Sequence, residues 1–193
     1  MIHLNSNSNA ATTAIRVRMS QEDQQKHDSL KKQLTRLRTA NAPIAQQATI
    51  LDAMLNITAP CKASALAGLV RNIKDQQETI IFCRNGFEER LALQACHEAG
   101  KTASRLNRRQ DDSAQWEQQG GIITVVTGEA TQYPDLLLAR RAVHLARSPN
   151  REKSDNLHRQ LTRKGRRRSL EITHIIADNS ADATIANAVI LIQ

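Results

Sequence analysis

The side chains of this sequence with the most evident chemistry are arginines and lysines. They occur in clusters that could bind phosphate groups. Arg163, Lys164 and the run 166–168 lie almost consecutively, and Arg108–Arg109 and Arg140–Arg141 add two pairs. The 193 residues carry 27 basic and 19 acidic side chains, a net charge of +8. This balance favours a phosphate-bearing partner such as nucleic acid, and a solvated basic surface is an equally open explanation.

A second candidate for phosphate chemistry is residues 95–102, which read Ala-Cys-His-Glu-Ala-Gly-Lys-Thr and satisfy a permissive phosphate-loop pattern. A working loop needs a strand that delivers a glycine turn, so that backbone N–H groups and the next helix N-terminus surround the phosphates. Here the predicted order is inverted, because a helix that begins near Phe87 would end at Gly100. Glycine caps such an end, and Lys101 suits the negative end of the helix dipole. An independent small ATPase would therefore depend on this one stretch alone.

Other chemistries have little support in the sequence. Cys61, Cys83 and Cys96 share no close spacing, so they predict neither a metal site nor a disulfide framework, and we expect a reducing, cytoplasmic location. Aromatic residues make up 2% of the chain, which argues against base stacking as the main binding mode. No apolar run approaches the length of a membrane span and no signal peptide opens the chain, so we expect no membrane partner.

The elements that would position the basic residues alternate between strand and helix from residue 79 onward. Thr79–Cys83 and residues 121–127 are short apolar runs, typical of strands buried on both faces of a parallel sheet. A helix over 87–100 follows the first of them, and residues 170–176 and 182–192 predict a last strand and a closing helix. This alternation predicts an α/β domain with a mainly parallel sheet.

The first 60 residues are predicted to form a separate, mainly helical segment. Residues 15–19 alternate apolar and basic side chains with the period of a half-buried strand. Ser20, followed by two acids, predicts the cap of a helix that fades near residue 41. A second helix is expected to end before Pro60 and a third to begin near Lys62. We therefore divide the chain into a strand and helical segment, 1–60, and an α/β lobe, 61–193.

An ordered series of such pieces runs through nearly the whole chain. Its members are the strand and helix from residue 15, the helix over 62–73, the strand Thr79–Cys83 opening onto Gly86 and Phe87, the strand ending Thr127-Gly128-Glu129, the basic stretch 158–166, the strand 172–176 and the helix start 179–185. This order resembles the C-terminal half of the Swi/Snf-like branch of superfamily-two helicases. The resemblance implies a RecA-like lobe, with a mainly parallel sheet flanked by helices, behind an N-terminal helical segment.

The resemblance also implies a role for the basic stretch. When Gly165 is aligned with the family's glycine, Arg163 becomes the leading arginine finger, followed by Arg166 and then Arg159. An arginine that reaches across the cleft between two lobes stabilises the charge that develops on the γ-phosphoryl oxygens during ATP cleavage. Arginine suits this role because its planar fork engages two phosphate oxygens at once. The residues alone are also explained by an ordinary basic helix end followed by a basic turn.

Five further residues are candidates for contact with the nucleic-acid backbone. Thr127 and Gly128 fall where the family has a backbone-touching loop, and glycine there lets N–H groups approach phosphate closely. A plain strand-ending turn explains these two residues equally well. Arg84, directly after a buried strand, could contact the backbone or could belong to a helix-capping turn. Arg167 and Arg168, in the turn beyond the basic helix, are expected to contact DNA phosphates.

The family's first lobe carries the phosphate loop and the acidic magnesium site, and neither is expected in this sequence. The resemblance therefore implies the second lobe of an ATP-dependent DNA helicase or translocase, with no metal site of its own and no activity alone. A separately encoded lobe would bind ATP and Mg²⁺, and the chain would be half of a two-subunit motor or a fragment left by gene splitting. The alternative is a non-catalytic, basic DNA-binding or regulatory protein with a degenerate helicase fold, which the missing glycine-rich stretch after Thr127 favours.

Overall fold

The computed structural model of the chain describes residues 10–74, 77–105, 123–127, 139–145 and 169–190. Within these ranges the strands are β1 (Ala10–Val17), β2 (Thr79–Cys83), β3 (Ala103–Arg105), β4 (Ile123–Thr127), β5 (Arg141–His144) and β6 (Leu170–Ala177). The helices are α1 (Gln21–Thr39), α2 (Ile44–Arg71), α3 (Gly86–Glu98) and α4 (Ala181–Ile190).

The six described strands form one sheet in the order β1-β6-β5-β2-β4-β3, and every pair of neighbours is parallel. All five residues of β2 are buried, as are the first four of β4, which explains why both strands are nearly continuous apolar runs. One face of the sheet packs against α2 and α3 through a core that includes Leu66, Val70, Ile81, Val125 and Ile175. The predicted α/β class with a mainly parallel sheet flanked by helices is therefore confirmed.

Helix α2 corrects the prediction of two helices separated at Pro60. The helix continues from Ile44 to Arg71 with Pro60 inside it, although proline removes one backbone hydrogen bond and disfavours a helix interior. Burial of Thr58, Ala59 and Lys62 on either side of the proline outweighs this cost. The boundary drawn near residue 60 falls inside α2, and β1 from the segment before it pairs with β6 from the segment after it.

The continuity of α2 also bears on the expected absence of long apolar segments. Among the helices that the structure describes, α2 is long and apolar enough by length and composition to cross a membrane. Half of its apolar stretch is buried inside the fold, and one such helix is weak evidence for a membrane span. The sequence did not indicate this stretch because Pro60 appeared to divide it.

Local capping signals fix the other helices where the sequence predicted them. Ser20 caps α1, and its side chain accepts a hydrogen bond from the backbone N–H of Asp23 at 3.1 Å. Strand β1 begins at Ala10, five residues before the predicted start, and β3 was not predicted because its three residues, Ala-Ser-Arg, carry no apolar pattern. The strand and helix predicted for 170–176 and 182–192 are present as β6 and α4.

Buried polar contacts attach α1 and α2 to the start of α4. The Lys62 Nζ lies 3.4 Å from Asp182 Oδ1, and both side chains are buried. The other carboxylate oxygen of Asp182 accepts from the backbone N–H of Ala177 at 3.1 Å. His27 of α1, only 1% exposed, accepts through Nε2 from the N–H of Ala181 at 3.1 Å. These contacts fix the positions of α1 and α2 along the strand direction, relative to the end of β6.

Candidate nucleic-acid interface

Parallel strands bring their last residues to one edge of the sheet, which we call the carboxyl edge. The strands end there at Val17, Cys83, Arg105, Thr127, His144 and Ala177. Cys83 is the register partner of Thr127, so the predicted backbone contacts, Arg84 directly after β2 and Thr127 at the end of β4, lie at the ends of neighbouring strands. Ligands of open α/β sheets bind outside this edge, so a binding site is expected there.

Arg84 is held at the carboxyl edge by acidic and amide groups from two helices. Its guanidinium group pairs with Asp52 of α2, donates through Nη2 to Asn56 Oδ1 at 2.6 Å and approaches Glu88 Oε1 at 3.4 Å. The backbone N–H of Arg84 donates to the second oxygen of Glu88 at 2.8 Å. The side chain is 11% exposed, so contact with a phosphate would require it to exchange at least one of these partners.

The cap of α3 is supplied by Asn85 rather than by Arg84. The Asn85 side chain accepts from the backbone N–H groups of Phe87 at 3.1 Å and Glu88 at 3.0 Å. Glu88 and Glu89 then occupy the first turn, where the positive end of the helix dipole favours carboxylates. The turn after β2 is therefore a helix cap that also fixes two acids at the carboxyl edge.

Thr127 is also engaged by an acid from α3. Its hydroxyl donates to the Glu89 carboxylate, and the second oxygen of that carboxylate pairs with Arg105 at the end of β3. Sequence reasoning missed Asp52, Glu88, Glu89 and Arg105, although two acids beside an asparagine cap were a usable signal. We call these residues, with Arg84 and Thr127, the edge network, in which three carboxylates outnumber two guanidinium groups.

The structure brings together only part of the predicted site. Arg84 and Thr127 share the carboxyl edge, and each contacts a neighbouring glutamate of α3. The other predicted site residues lie outside the described residues, namely Gly128, Arg159, Arg163, Arg166, Arg167 and Arg168.

Residues 95–102 occupy the C-terminal end of α3 and the turn before β3, as predicted. Gly100 has a positive φ of 71°, and its N–H donates to the carbonyl of His97 at 2.9 Å. The N–H of Lys101 donates to the carbonyl of Cys96 at 2.9 Å. These N–H groups are used to cap the helix, and the turn lies where strand β3 begins, opposite the carboxyl edge. The geometry does not fit a phosphate loop.

No other nucleophile or metal centre stands out in the described part of the chain. It contains no group of three or more His, Cys, Asp or Glu side chains that could hold a metal ion. The three cysteines are free thiols, and burial raises the pKa of Cys96 to about 11 and that of Cys83 well above its usual value. These two thiols are therefore protonated and unreactive near neutral pH.

Similar folds occur among solved structures of ATPase domains. The C-terminal part of the Fun30 ATPase domain matches with a TM-score of 0.55 and 18% identity, over 66% of this chain and 44% of that one. The Sulfolobus solfataricus SWI2/SNF2 ATPase core in complex with dsDNA matches with a TM-score of 0.65 and 12% identity, over 95% and 44%. A second structure of the Sulfolobus solfataricus SWI2/SNF2 ATPase core domain matches with a TM-score of 0.65 and 11% identity, over 95% of this chain and 43% of that one.

These matches confirm the predicted resemblance at the level of the fold. The chain shares its fold with the C-terminal part of the Fun30 ATPase domain and with part of the Sulfolobus solfataricus SWI2/SNF2 ATPase core. It spans less than half the length of each of these three solved structures. No protein-family model and no curated protein matches the sequence.

Proposed function

We propose that this chain is the second lobe of an ATP-dependent DNA helicase or translocase whose ATP-binding lobe is a separate subunit. The observation that carries the proposal is the fold similarity to the Sulfolobus solfataricus SWI2/SNF2 ATPase core, which covers 95% of this chain and 44% of that core. That core was solved in complex with dsDNA, and a net charge of +8 makes duplex DNA a suitable partner for this chain.

ATP is the substrate of the assembled motor in this proposal, and the partner lobe binds most of it together with Mg²⁺. The support within this chain is the helix-capping geometry of Gly100 and Lys101, which leaves residues 95–102 unable to surround phosphates. The chain contributes Arg163, with Arg166 and Arg159 as the next candidates, to the γ-phosphoryl group across the cleft between the lobes. Closure of the two lobes then steps the pair along DNA, in a cytoplasmic location.

The alternative function is a non-catalytic DNA-binding or regulatory protein with a degenerate helicase fold. The edge network favours it, because Arg84 and Thr127 already have acidic partners where the motor would need groups free to bind backbone phosphates. The sequence after Thr127 also lacks the family's glycine-rich stretch. Both functions include DNA binding, and they differ in whether Arg163 matters for ATP turnover.

DNA binding is tested by titrating salt against the affinity for a fluorescently labelled duplex, followed by anisotropy. Each phosphate that a cation neutralises contributes about −0.9 to the slope of log K against log salt. We expect a steep slope, little dependence on the sequence of the duplex, and a slope shallower by about one for each of Arg167→Ala and Arg168→Ala. A flat slope, or no binding in dilute buffer, would remove nucleic acid from the partners of this chain.

A further inference from the structure

Helices α1 and α2 form an antiparallel hairpin that extends past the carboxyl edge of the sheet. His27 of α1 contacts Ala181, just beyond the end of β6, and Asp52 of α2 contacts Arg84, just beyond the end of β2. Both helices therefore cross the level of the carboxyl edge near these residues. Residues 28–39 of α1 and 44–51 of α2 continue outward, for about 18 Å and about 12 Å at 1.5 Å per residue. We call residues 28–51 the helical arm.

The arm uses its apolar side chains to hold its own two helices together. Leu34 is buried, and Leu30 and Leu37 are half-buried at helical spacing, on the face of α1 that packs against α2. The remaining α1 residues of the arm are exposed. One face of the arm is thus open to solvent along its full length, above the carboxyl edge.

The exposed face of α1 in the arm carries an excess of positive charge. Residues 28–51 contain four cations, Lys31, Lys32, Arg36 and Arg38, and one acid, Asp28, at the base of the arm. All four side chains are exposed, and none of them takes part in an ion pair with a residue that the structure describes. Six other cations of the described ranges do have acidic partners, namely Arg16, Lys26, Lys62, Arg84, Arg105 and Arg141.

The spacing of these cations suits a polyanion with regularly repeated charges. Lys32 and Arg36 are one helical turn apart, about 6 Å along the axis, and Lys31 and Arg38 are about 10.5 Å apart. One DNA strand presents a phosphate about every 3.4 Å of duplex axis, so the exposed face spans about three consecutive phosphates. Lysine and arginine side chains make the backbone contacts that hold proteins on DNA in register.

We propose that the exposed face of α1 in the arm binds the phosphate backbone of a duplex lying along the carboxyl edge. This inference rests on the proposed function, since it assumes that DNA is the partner. It assigns the main backbone contact of the described residues to Lys31, Lys32, Arg36 and Arg38 rather than to Arg84, whose charge the edge network compensates. An anionic membrane is less suited, because Ile44 is the one large hydrophobic residue exposed in the arm among the described residues.

The test compares two double variants of the full chain that remove the same charge. K32A/R36A changes the arm, and R71A/K74A changes exposed residues at the opposite end of α2 and just after it. We expect K32A/R36A to make the slope of log K against log salt shallower by about two, while R71A/K74A keeps the wild-type slope. Both variants are expected to keep the wild-type Tm, because the exchanged side chains are exposed.

The outcomes separate this inference from the proposed function. If the wild-type chain binds the duplex with a steep slope and both variants lose the same amount, or K32A/R36A loses nothing, the arm is not the contact and the proposed function stands. If the wild-type chain does not bind the duplex, both this inference and the proposed function are wrong. Binding of the wild type, but not of K32A/R36A, to phosphatidylserine vesicles in preference to the duplex would assign the arm to a membrane surface and overturn the inference.

Discussion

The imidazole of His27 is a buried titratable group whose hydrogen bond to α4 requires one charge state. Its Nε2 accepts from the N–H of Ala181 at 3.1 Å, so the ring must be neutral with its proton on Nδ1. Burial lowers the pKa of His27 below 6.5, and the hydrogen bond and the charge of Asp28, each a smaller contribution, oppose this shift. Lys31 lowers the pKa further, and the positive end of the α4 dipole, next to the ring, also disfavours a charged imidazole.

Stability is therefore expected to fall in mild acid. Below about pH 6.5 the unfolded chain binds a proton at this histidine that the folded chain does not, so the free energy of unfolding decreases as the pH falls toward the folded pKa. Urea unfolding at about pH 7.5 and about pH 5.5 measures the loss for the wild type and for His27→Gln. The glutamine variant should be less stable at both values and should lose less between them. Equal losses in the two proteins would contradict the role assigned to His27.

Single residues also mark the limit of what the sequence could predict about the site. The sequence pattern predicted that Arg84 and Thr127 lie at strand ends, because an apolar run followed by polar residues is a local signal. The partners of Arg84 were not predictable in the same way, since Asp52 lies 32 residues away in sequence and Asn56 lies 28 away. Their contact exists only because α2 packs beside α3.

The helices show which local signals were sufficient and which were overridden. Ser20 and Asn85 are caps whose hydrogen bonds involve residues two or three positions away, so the starts of α1 and α3 could be predicted. Pro60 is an equally local signal, and it was misleading because the burial of α2 on both sides of it is a tertiary effect. Strand β3 depends on its register with β4 and has no local signal.

Replacing Pro60 with alanine is expected to stabilise the fold. A proline in a helix interior costs about 3 kcal/mol, and alanine would lose about 1 kcal/mol of the advantage that proline gives through a stiffer unfolded chain. Urea unfolding should therefore show a gain of about 1–2 kcal/mol. Gly68→Ala, exposed on the same helix with open space around its added methyl group, is the matched control, with a gain of about 0.5–1 kcal/mol. A loss for Pro60→Ala beside a gain for Gly68→Ala would mean that the packing of α2 requires the proline.

At the scale of the whole molecule, the two ends of the strands carry different groups. The edge network lies at the carboxyl edge, past which the helical arm extends, and the capped turn of Gly100 and Lys101 lies at the opposite edge. The sequence predicted the fold class from the alternation of elements, and it predicted the helicase-like lobe from their order. It could not predict the arm, because the distance that a hairpin extends past a sheet depends on how α1 and α2 are attached at His27 and Asp52.

Phosphate release from ATP, measured with duplex DNA and Mg²⁺, tests most directly whether this chain is a motor lobe completed by a partner. We predict no release by the chain alone, and turnover once a separately expressed first lobe with a phosphate loop is added. Arg163→Ala or Arg163→Lys should then reduce turnover about a thousandfold or more with a small loss of DNA affinity. Arg167→Ala and Arg168→Ala should weaken DNA binding and leave turnover nearly intact. Equal, small effects at all three arginines would leave only the DNA-binding function, and robust turnover by the chain alone that Lys101→Ala abolishes would contradict the two-lobe proposal outright.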